Sequence, residues 1–219
     1  MFVAIDGPSG TGKSTVSRRV AEELGAKYLD TGAMYRIATL WALRHGVDPT
    51  DTEQVVAVTA QLPLTISDDP ADMAVWLDGA DVSEEIRGAD VTRAVSAVAA
   101  IPEVRASLVA LQRQLAADAG DIVMEGRDIG TVVLPDADTK IFLTARPEVR
   151  AQRRYDQDRA AGRESDLAEV LADVNRRDRL DTTRAVSPLR PAEDAILVDT
   201  SDITIDEVIA TIVDLARRP

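Results

Sequence analysis

The sequence predicts an α/β fold: a five-stranded parallel sheet flanked by helices, with a small antiparallel β insertion. Three observations carry that expectation. Short apolar runs of strand length alternate with segments of helical period along most of the 219 residues, the pattern of βαβ units. Residues 63–100 break the alternation with short apolar segments and the turn dipeptides Asp69-Pro70 and Asp78-Gly79. The first strand also runs straight into a glycine-rich stretch, "GPSGTGKST" (Gly7 to Thr15), that precedes a helix. A chain of this length fits one domain, with a core over 1–62 and 101–219 into which 63–100 is inserted.

Phe2 to Asp6, "FVAID", reads as a short buried strand. Lys13 to Leu24 has helical periodicity, with Val16, Val20 and Leu24 on one face and Gly25 as the stop. "KYLD" is a second strand, leading into a helix that Thr31 caps and that runs to Arg44. Capping residues in "DPTDTE" start another helix, from Pro49 to about Gln61. The insertion reads as a hairpin with Trp76 in its core. Helices follow over Val91–Ala100 and, with Pro102 in the first turn, to Ala119. Then come the strands "DIVMEG" and "KIFLTA", a helix from Pro147 to about Ala161, the polar loop "AGRESD", and a helix from Leu167 to about Asp181. The strand "AILVD" and a helix from Thr204 to Arg217 close the chain.

Composition removes several kinds of function. A net charge of −13 argues against general affinity for nucleic acid or anionic membrane. No cysteine is present, so disulfides and thiolate metal sites are excluded, and the single histidine, His45, leaves no basis for a histidine triad. No apolar run approaches the roughly 20 residues of a membrane span, and the early glycine-rich loop leaves no room for a signal peptide; a soluble cytoplasmic protein is expected. Lysine occurs only at Lys13, Lys27 and Lys140, so 22 of the 25 basic residues are arginine, eleven of them between Arg146 and Arg190. Such a cluster in an acidic chain suits a focused anion, although "EVRAQRRYDQD" also fits a helix laced with ion pairs.

The pattern G-x-x-x-x-G-K-[ST] is met at Gly7, Gly12, Lys13 and Ser14. Glycines let the backbone of Gly7, Pro8, Ser9, Gly10, Thr11 and Gly12, and on to Thr15, curl so that its successive N–H groups surround phosphate oxygens. The following helix adds its positive end. Lys13 reaches the β and γ phosphates, and the Ser14 hydroxyl can ligate Mg²⁺ carried by a nucleoside triphosphate. Between strand and helix, the motif predicts a P-loop NTPase fold. A hydrolytic switch or motor needs a strand-terminal acid and a means of placing water. "IVMEGRDIG" supplies Glu125 but follows it with Arg127 and Asp128, a pairing suited to a small nucleotide or zwitterionic acceptor. "DTGAMYR" places Thr31 and Arg36 near the end of the second strand. The expectation is one phosphate cradle with arginines left over for a second phosphorylated molecule.

Taken in order from end to end, "GPSGTGKST", "DTGAMYR", "AVSAVAAIPEVR", "GRDIGTVVLPDAD", "KIFLTA", "RRDRLDTTRAVSPL" and "DTS" resemble the bacterial cytidylate kinases, in the nucleoside monophosphate kinase family. The likeness covers nearly the whole chain, including the insertion. It implies transfer of phosphate from ATP to CMP or dCMP, a step of pyrimidine nucleotide metabolism, with Mg²⁺ accompanying ATP. It also implies a monomer, acting on small molecules and not on nucleic acid or membrane. The resemblance assigns the acceptor phosphate to Arg36 and Arg127, and the cytosine edge to Ser96, Arg105 and Asp128, with Thr31 beside them. Asp181 would bond the sugar hydroxyls, with Arg177 and Arg184 near sugar and phosphates. Lys13, Arg127 and Arg184 would serve the transfer, and Arg150, Arg153 and Arg154 belong to a closing lid over 150–166. Thr31 departs from relatives that carry serine but keeps the hydroxyl. A carboxylate, a hydroxyl and a guanidinium complement the amine, N3 and O2 of cytosine. Blander roles remain open at this point: Asp128 and Asp181 as ion-pair members, Arg105 on a helix surface, Ser96 incidental, His45 structural, Tyr35 in core or pocket. Two other classes also share the phosphate loop, a kinase of a different acceptor such as shikimate and a non-catalytic nucleotide sensor.

Overall fold

The structure, a computed structural model, describes residues 1–218. Strands β1 (Phe2–Asp6), β2 (Lys27–Asp30), β6 (Ile122–Gly126), β7 (Thr139–Thr144) and β8 (Ile196–Asp199) form one parallel sheet in the order β2-β6-β1-β7-β8. Alternate side chains point to opposite faces of a strand, and both faces here are covered. Val3 and Ile5 of β1 and Val123 of β6 pack with Val16 and Val20 of α1 (Lys13–Leu24) and Ile212 of α8 (Ile205–Ala216). Ala4, Ile122 and Met124 pack on the other side with α2 (Thr31–Arg44) and α5 (Pro102–Ala119). Fully buried residues such as Ile5, Met124 and Leu143 contribute about 1.5–3 kcal/mol each through burial of apolar surface.

The insertion is a three-stranded antiparallel sheet, β3 (Leu64–Ile66), β4 (Val75–Leu77) and β5 (Ala80–Asp81), one strand more than the hairpin the pattern predicts. A 3-10 turn, Glu85–Arg87, and α4 (Ala89–Val98) follow it. Helix α2 is apolar on two faces because it lies between layers. Met34, Tyr35 and Ala38 face the main core, whereas Ala33, Ile37 and Leu40 pack with Val75, Leu77 and Ile86 of the insertion. Trp76 corrects the sequence expectation: period-2 alternation buries Val75 and Leu77 and turns Trp76 to the other face, where it is half-buried.

Other boundaries shift for local reasons. Asp30, not Thr31, caps α2, its carboxylate accepting from the Ala33 N–H at 3.0 Å. Helix α3 (Thr52–Thr59) starts later than Pro49 because the Asp51 side chain caps it. Helices α6 (Pro147–Ala160) and α7 (Leu167–Thr183) lie close to their predicted spans. Missing from the sequence reading is a π-helical turn, Ile129–Val133, straight after Asp128; its β-branched composition gives no helical signal.

Candidate active site

The carboxyl ends of β1, β6 and β2 lie side by side, where an open parallel sheet binds its ligands. Register places Asp6 beside Gly126 and Asp30 beside Glu125. The segments that follow these three strands are therefore the phosphate loop, Arg127-Asp128 and Thr31. They meet around two adjoining cavities of about 680 and 390 Å³.

The larger cavity lies over the phosphate loop, with Arg150, Arg153, Arg154 and Thr200 in its walls. Gly7 adopts φ +152°, and a Cβ there would stand 2.1 Å from the Leu143 carbonyl oxygen, so the loop can cross β7 only with glycine. The Lys13 ammonium donates to the Pro8 carbonyl at 2.8 Å and is almost fully buried. Burial and the nearby Arg127 push its pKa down, while Glu125, Asp6 and Asp30 push the other way. Ser9, Gly10, Thr11, Gly12 and Thr15 border the larger cavity, and Lys13 and Ser14 the smaller.

The three lid-region arginines have different occupations. Arg150 is a buried strut, donating to the Ser9 carbonyl at 3.1 Å, to Ala145, and to both oxygens of Asp178 in α7. It ties α6, α7 and the phosphate loop together and is not free for phosphate. Arg153 donates to the carbonyl and hydroxyl of Thr200, whose own hydroxyl reaches the Thr11 carbonyl at 3.2 Å. Arg154 is half-exposed and paired with Asp158.

The smaller cavity gathers the predicted acceptor residues: Thr31, Arg36, Ser96, Arg105, Asp128 and Asp181, together with Arg127, Arg177 and Arg184. Arg105 is no surface residue. Its side chain is 3% exposed, its Nη2 donates to Asp128 at 2.5 Å and its Nη1 to the Ala99 carbonyl at 3.0 Å. The guanidinium lies 5.0 Å from the Tyr35 ring centre, so Tyr35 serves core and pocket at once. Arg184 approaches the other Asp128 oxygen at 4.0 Å and donates to the Ser187 carbonyl at 2.5 Å. Arg127 donates to Asp181 at 3.0 Å. Burial works against both charges, but their attraction wins, raising the Arg127 pKa and lowering that of Asp181. Arg36 donates to the Ile86 carbonyl and the Thr92 hydroxyl of the insertion, and burial followed by Arg177 brings its pKa down to about 10. The Thr31 hydroxyl donates to the Glu125 carbonyl at 2.7 Å, locking α2 to β6. Ser96 borders the cavity from α4. His45 is remote, its Nδ1 2.8 Å from the Trp41 carbonyl at the end of α2.

Sequence reasoning missed Asp6, Tyr28 and Asp30. Tyr28 donates to Glu125, whose pKa rises through burial and then through Asp30. Asp6 is 4% exposed, and burial pushes its pKa up to about 6 despite bonds from the Gly130 and Ile129 N–H groups. The available signal was the acid ending each strand, in "FVAID" and "KYLD". Among the described residues no three Asp, Glu, His or Cys side chains are grouped to hold a metal ion. Ser14 and Glu125 do offer hard oxygen donors to the smaller cavity, which suits Mg²⁺ arriving on a triphosphate better than an ion in a protein cage.

A family model described as cytidylate kinase matches residues 3–218. The cytidylate kinase of Corynebacterium diphtheriae is 65% identical over 218 residues, spanning 100% of this chain and 95% of that protein. The cytidylate kinase of Rhodococcus opacus is 66% identical over 209 residues, covering 95% of this chain and 91% of its own. Among solved structures, a gluconokinase from Sinorhizobium meliloti aligns with a TM-score of 0.50 at 14% identity over 98% of this chain and 90% of that one. The shikimate kinase from Bacteroides thetaiotaomicron gives 0.50 at 13% identity over 100% and 99%. At such identities the likeness is one of fold, that of the P-loop kinases.

Proposed function

The chain belongs to the cytidylate kinase family and is a phosphotransferase acting on CMP, and from that premise we propose how its residues carry phosphate from ATP to CMP and dCMP. The observation that carries the reading is Asp128: a buried carboxylate held between Arg105 and Arg184 at the edge of a cavity that opens onto the phosphate loop.

The triphosphate lies in the loop Gly7–Thr15, its oxygens facing loop N–H groups and the start of α1, with Lys13 between donor and acceptor. The CMP phosphate takes Arg36 and Arg127, with Arg177 reaching both cavities. Asp128 accepts from the cytosine amine, and Arg105 and Ser96 face N3 and O2. Asp181 takes the sugar hydroxyls, which supports use of both ribose and deoxyribose where one hydroxyl suffices. Ser14, with Glu125 alongside, would hold Mg²⁺. When bound, the ion neutralises charge on the phosphate oxygens between which the phosphoryl group moves. Arg127 is already oriented by Asp181, so little reorganisation is needed as charge develops on the moving group. Lys13 and Arg184 complete that neutralisation. Arg153 and Arg154, in the wall of the larger cavity, close over the triphosphate and exclude water.

Both half-sites come from one chain, which supports a monomer. No single helix among the described residues is long and apolar enough to cross a membrane. We place the reaction in the cytoplasm, with its nucleotide substrates. ADP release measured with Mg·ATP against CMP, dCMP, UMP, AMP, GMP and TMP tests the reading. Fast turnover confined to CMP and dCMP, with UMP trailing, is expected. Turnover of another acceptor would overturn the cytosine pocket, and ADP release without acceptor would make water the recipient.

A further inference from the structure

Asp6 is the last residue of β1 and the immediate neighbour of Gly7, yet nothing in the transfer described above uses it. Its carboxylate reaches the turn after β6. One oxygen accepts from the Ile129 N–H at 2.8 Å and the other from the Gly130 N–H at 2.8 Å. These are the first two N–H groups of the π-helical turn Ile129–Val133, donors that a helix start leaves without partners of its own. An ordinary cap comes from the turn's own leading residue, and here that residue, Asp128, makes no side-chain capping bond. Its carboxylate faces Arg105 instead. The cap is supplied from 123 residues away in sequence, by the side chain that borders Gly7. The far end of the turn is tied as well, with Arg113 of α5 donating to the carbonyls of Val132 and Val133.

We propose that Asp6 is a positioning residue for phosphoryl transfer: a two-oxygen clamp that holds the acceptor-reading pair Arg127-Asp128 in register with the phosphate loop. The proposal rests on assigning Gly7–Thr15 to the donor and Arg127-Asp128 to the acceptor. β1 and β6 are adjacent parallel strands, but their ladder ends at Asp6 and Gly126. Beyond it, among the described contacts, the clamp is the hydrogen-bonded link from the end of β1 to the turn carrying Asp128. Its chemistry needs both carboxylate oxygens. An asparagine of the same shape offers one acceptor and turns an NH₂ toward the second N–H, so one bond becomes a repulsion. A residue that merely filled space would tolerate that change. A misplacement of about 1 Å between reacting groups costs on the order of 100-fold in rate.

The test compares wild type with Asp6→Asn. Binding of a non-hydrolysable ATP analogue and of CMP are measured separately, and kcat alongside. Expected are a fall in kcat of roughly 10- to 100-fold, weaker CMP binding, and ATP-analogue affinity within about twofold. Asp6→Asn is then repeated in an Asp128→Ala background. If Asp6 acts through the turn, the second loss in CMP affinity shrinks to the share carried by Arg127, whereas a merely structural effect adds in full. Full additivity, unchanged CMP affinity, or equal weakening of both ligands would overturn the proposal. A wild type that does not phosphorylate CMP would instead strike at the functional reading. Should Asp6→Asn not fold, hydrogen exchange on the wild type decides: Ile129 and Gly130 amides are expected to be as protected as those of Ile5 and Val123, and rapid exchange there refutes the clamp.

Discussion

Asp128→Ala separates recognition of the base from everything else the site does. The carboxylate has a side-chain exposure of 6% and sits between Arg105 at 2.5 Å and Arg184 at 4.0 Å, whose side chains are 3% and 7% exposed. In the proposed pocket, removing it deletes the acceptor for the cytosine amine. A hydrogen bond to a charged group contributes about 1.5–3 kcal/mol, which corresponds to a roughly 10- to 150-fold loss in kcat/KM for CMP. It also leaves two buried guanidinium groups without their anion, a loss of about 3–5 kcal/mol in stability when one partner of a buried pair is removed. Arg105 keeps the Ala99 carbonyl and Arg184 the Ser187 carbonyl, so the lower end of that range is expected. The assay is coupled ADP release with CMP and UMP varied in turn, beside ATP-analogue titration and thermal unfolding. CMP use falls, ATP-analogue affinity stays within about threefold, and the preference for CMP over UMP shrinks, because uracil turns a carbonyl toward a carboxylate that is now gone. Asp128→Asn should lose the preference with a smaller loss of stability. Unchanged CMP kinetics in a folded Asp128→Ala protein would remove the residue from the site and refute the reasoning.

Gly126→Ala places a Cβ 2.7 Å from the Thr31 hydroxyl and 2.7 Å from Ile129 Cδ1. Overpacking of that kind costs about 1–3 kcal/mol, so calorimetry should show a Tm several degrees lower with a raised KM for CMP; an unchanged melt would show that the ends of β6 and β2 are less tightly packed than the distances say. Arg150→Ala removes the strut between Ser9 and Asp178, and the KM for ATP should rise more than that for CMP; the reverse order would assign Arg150 to the acceptor side. Burial raises the Asp6 carboxyl from 3.8 to about 6. An acid raised on folding binds its proton more tightly in the native state, so its contribution falls as pH climbs from about 4 to 6 and stays low above that. A rise of that size corresponds to about 3 kcal/mol. The stability of wild type relative to Asp6→Asn, from urea unfolding, should therefore decline by that order between pH 4 and 6.5, and a flat difference would contradict the burial of an ionised carboxylate.

Local patterns were the legible part of this molecule. Strand, loop and helix follow one another in "FVAIDGPSGTGKST", and each is marked in its own residues: a continuous apolar run, closely spaced glycines, helical spacing after Lys13. The π-helical turn was not legible because its cause is distant. Ile129 and Gly130 are held by a carboxylate on another strand, and the composition "IGTVV" by itself favours extended backbone. The insertion's third strand was hidden for the opposite reason: Ala80–Asp81 is too short to show any period.

The arginines make the same point about the site. The sequence marks eleven of them between Arg146 and Arg190 as candidates for anions, and nothing in their spacing ranks them. A buried guanidinium must find acceptors, and the structure sorts the group by whether it has found them all. Arg150 has the Ala145 and Ser9 carbonyls and both Asp178 oxygens, four acceptors that engage all three of its nitrogens and make it a strut. Around the acceptor cavity, Arg177 and Arg184 of that group, and Arg105 outside it, each keep a buried nitrogen without a partner. Donors left over in a cavity beside a phosphate loop are what a second polyanion would complete. That distinction is a property of three-dimensional partnering. It distinguishes arginines such as Arg150 and Arg177, which charge and periodicity read alike.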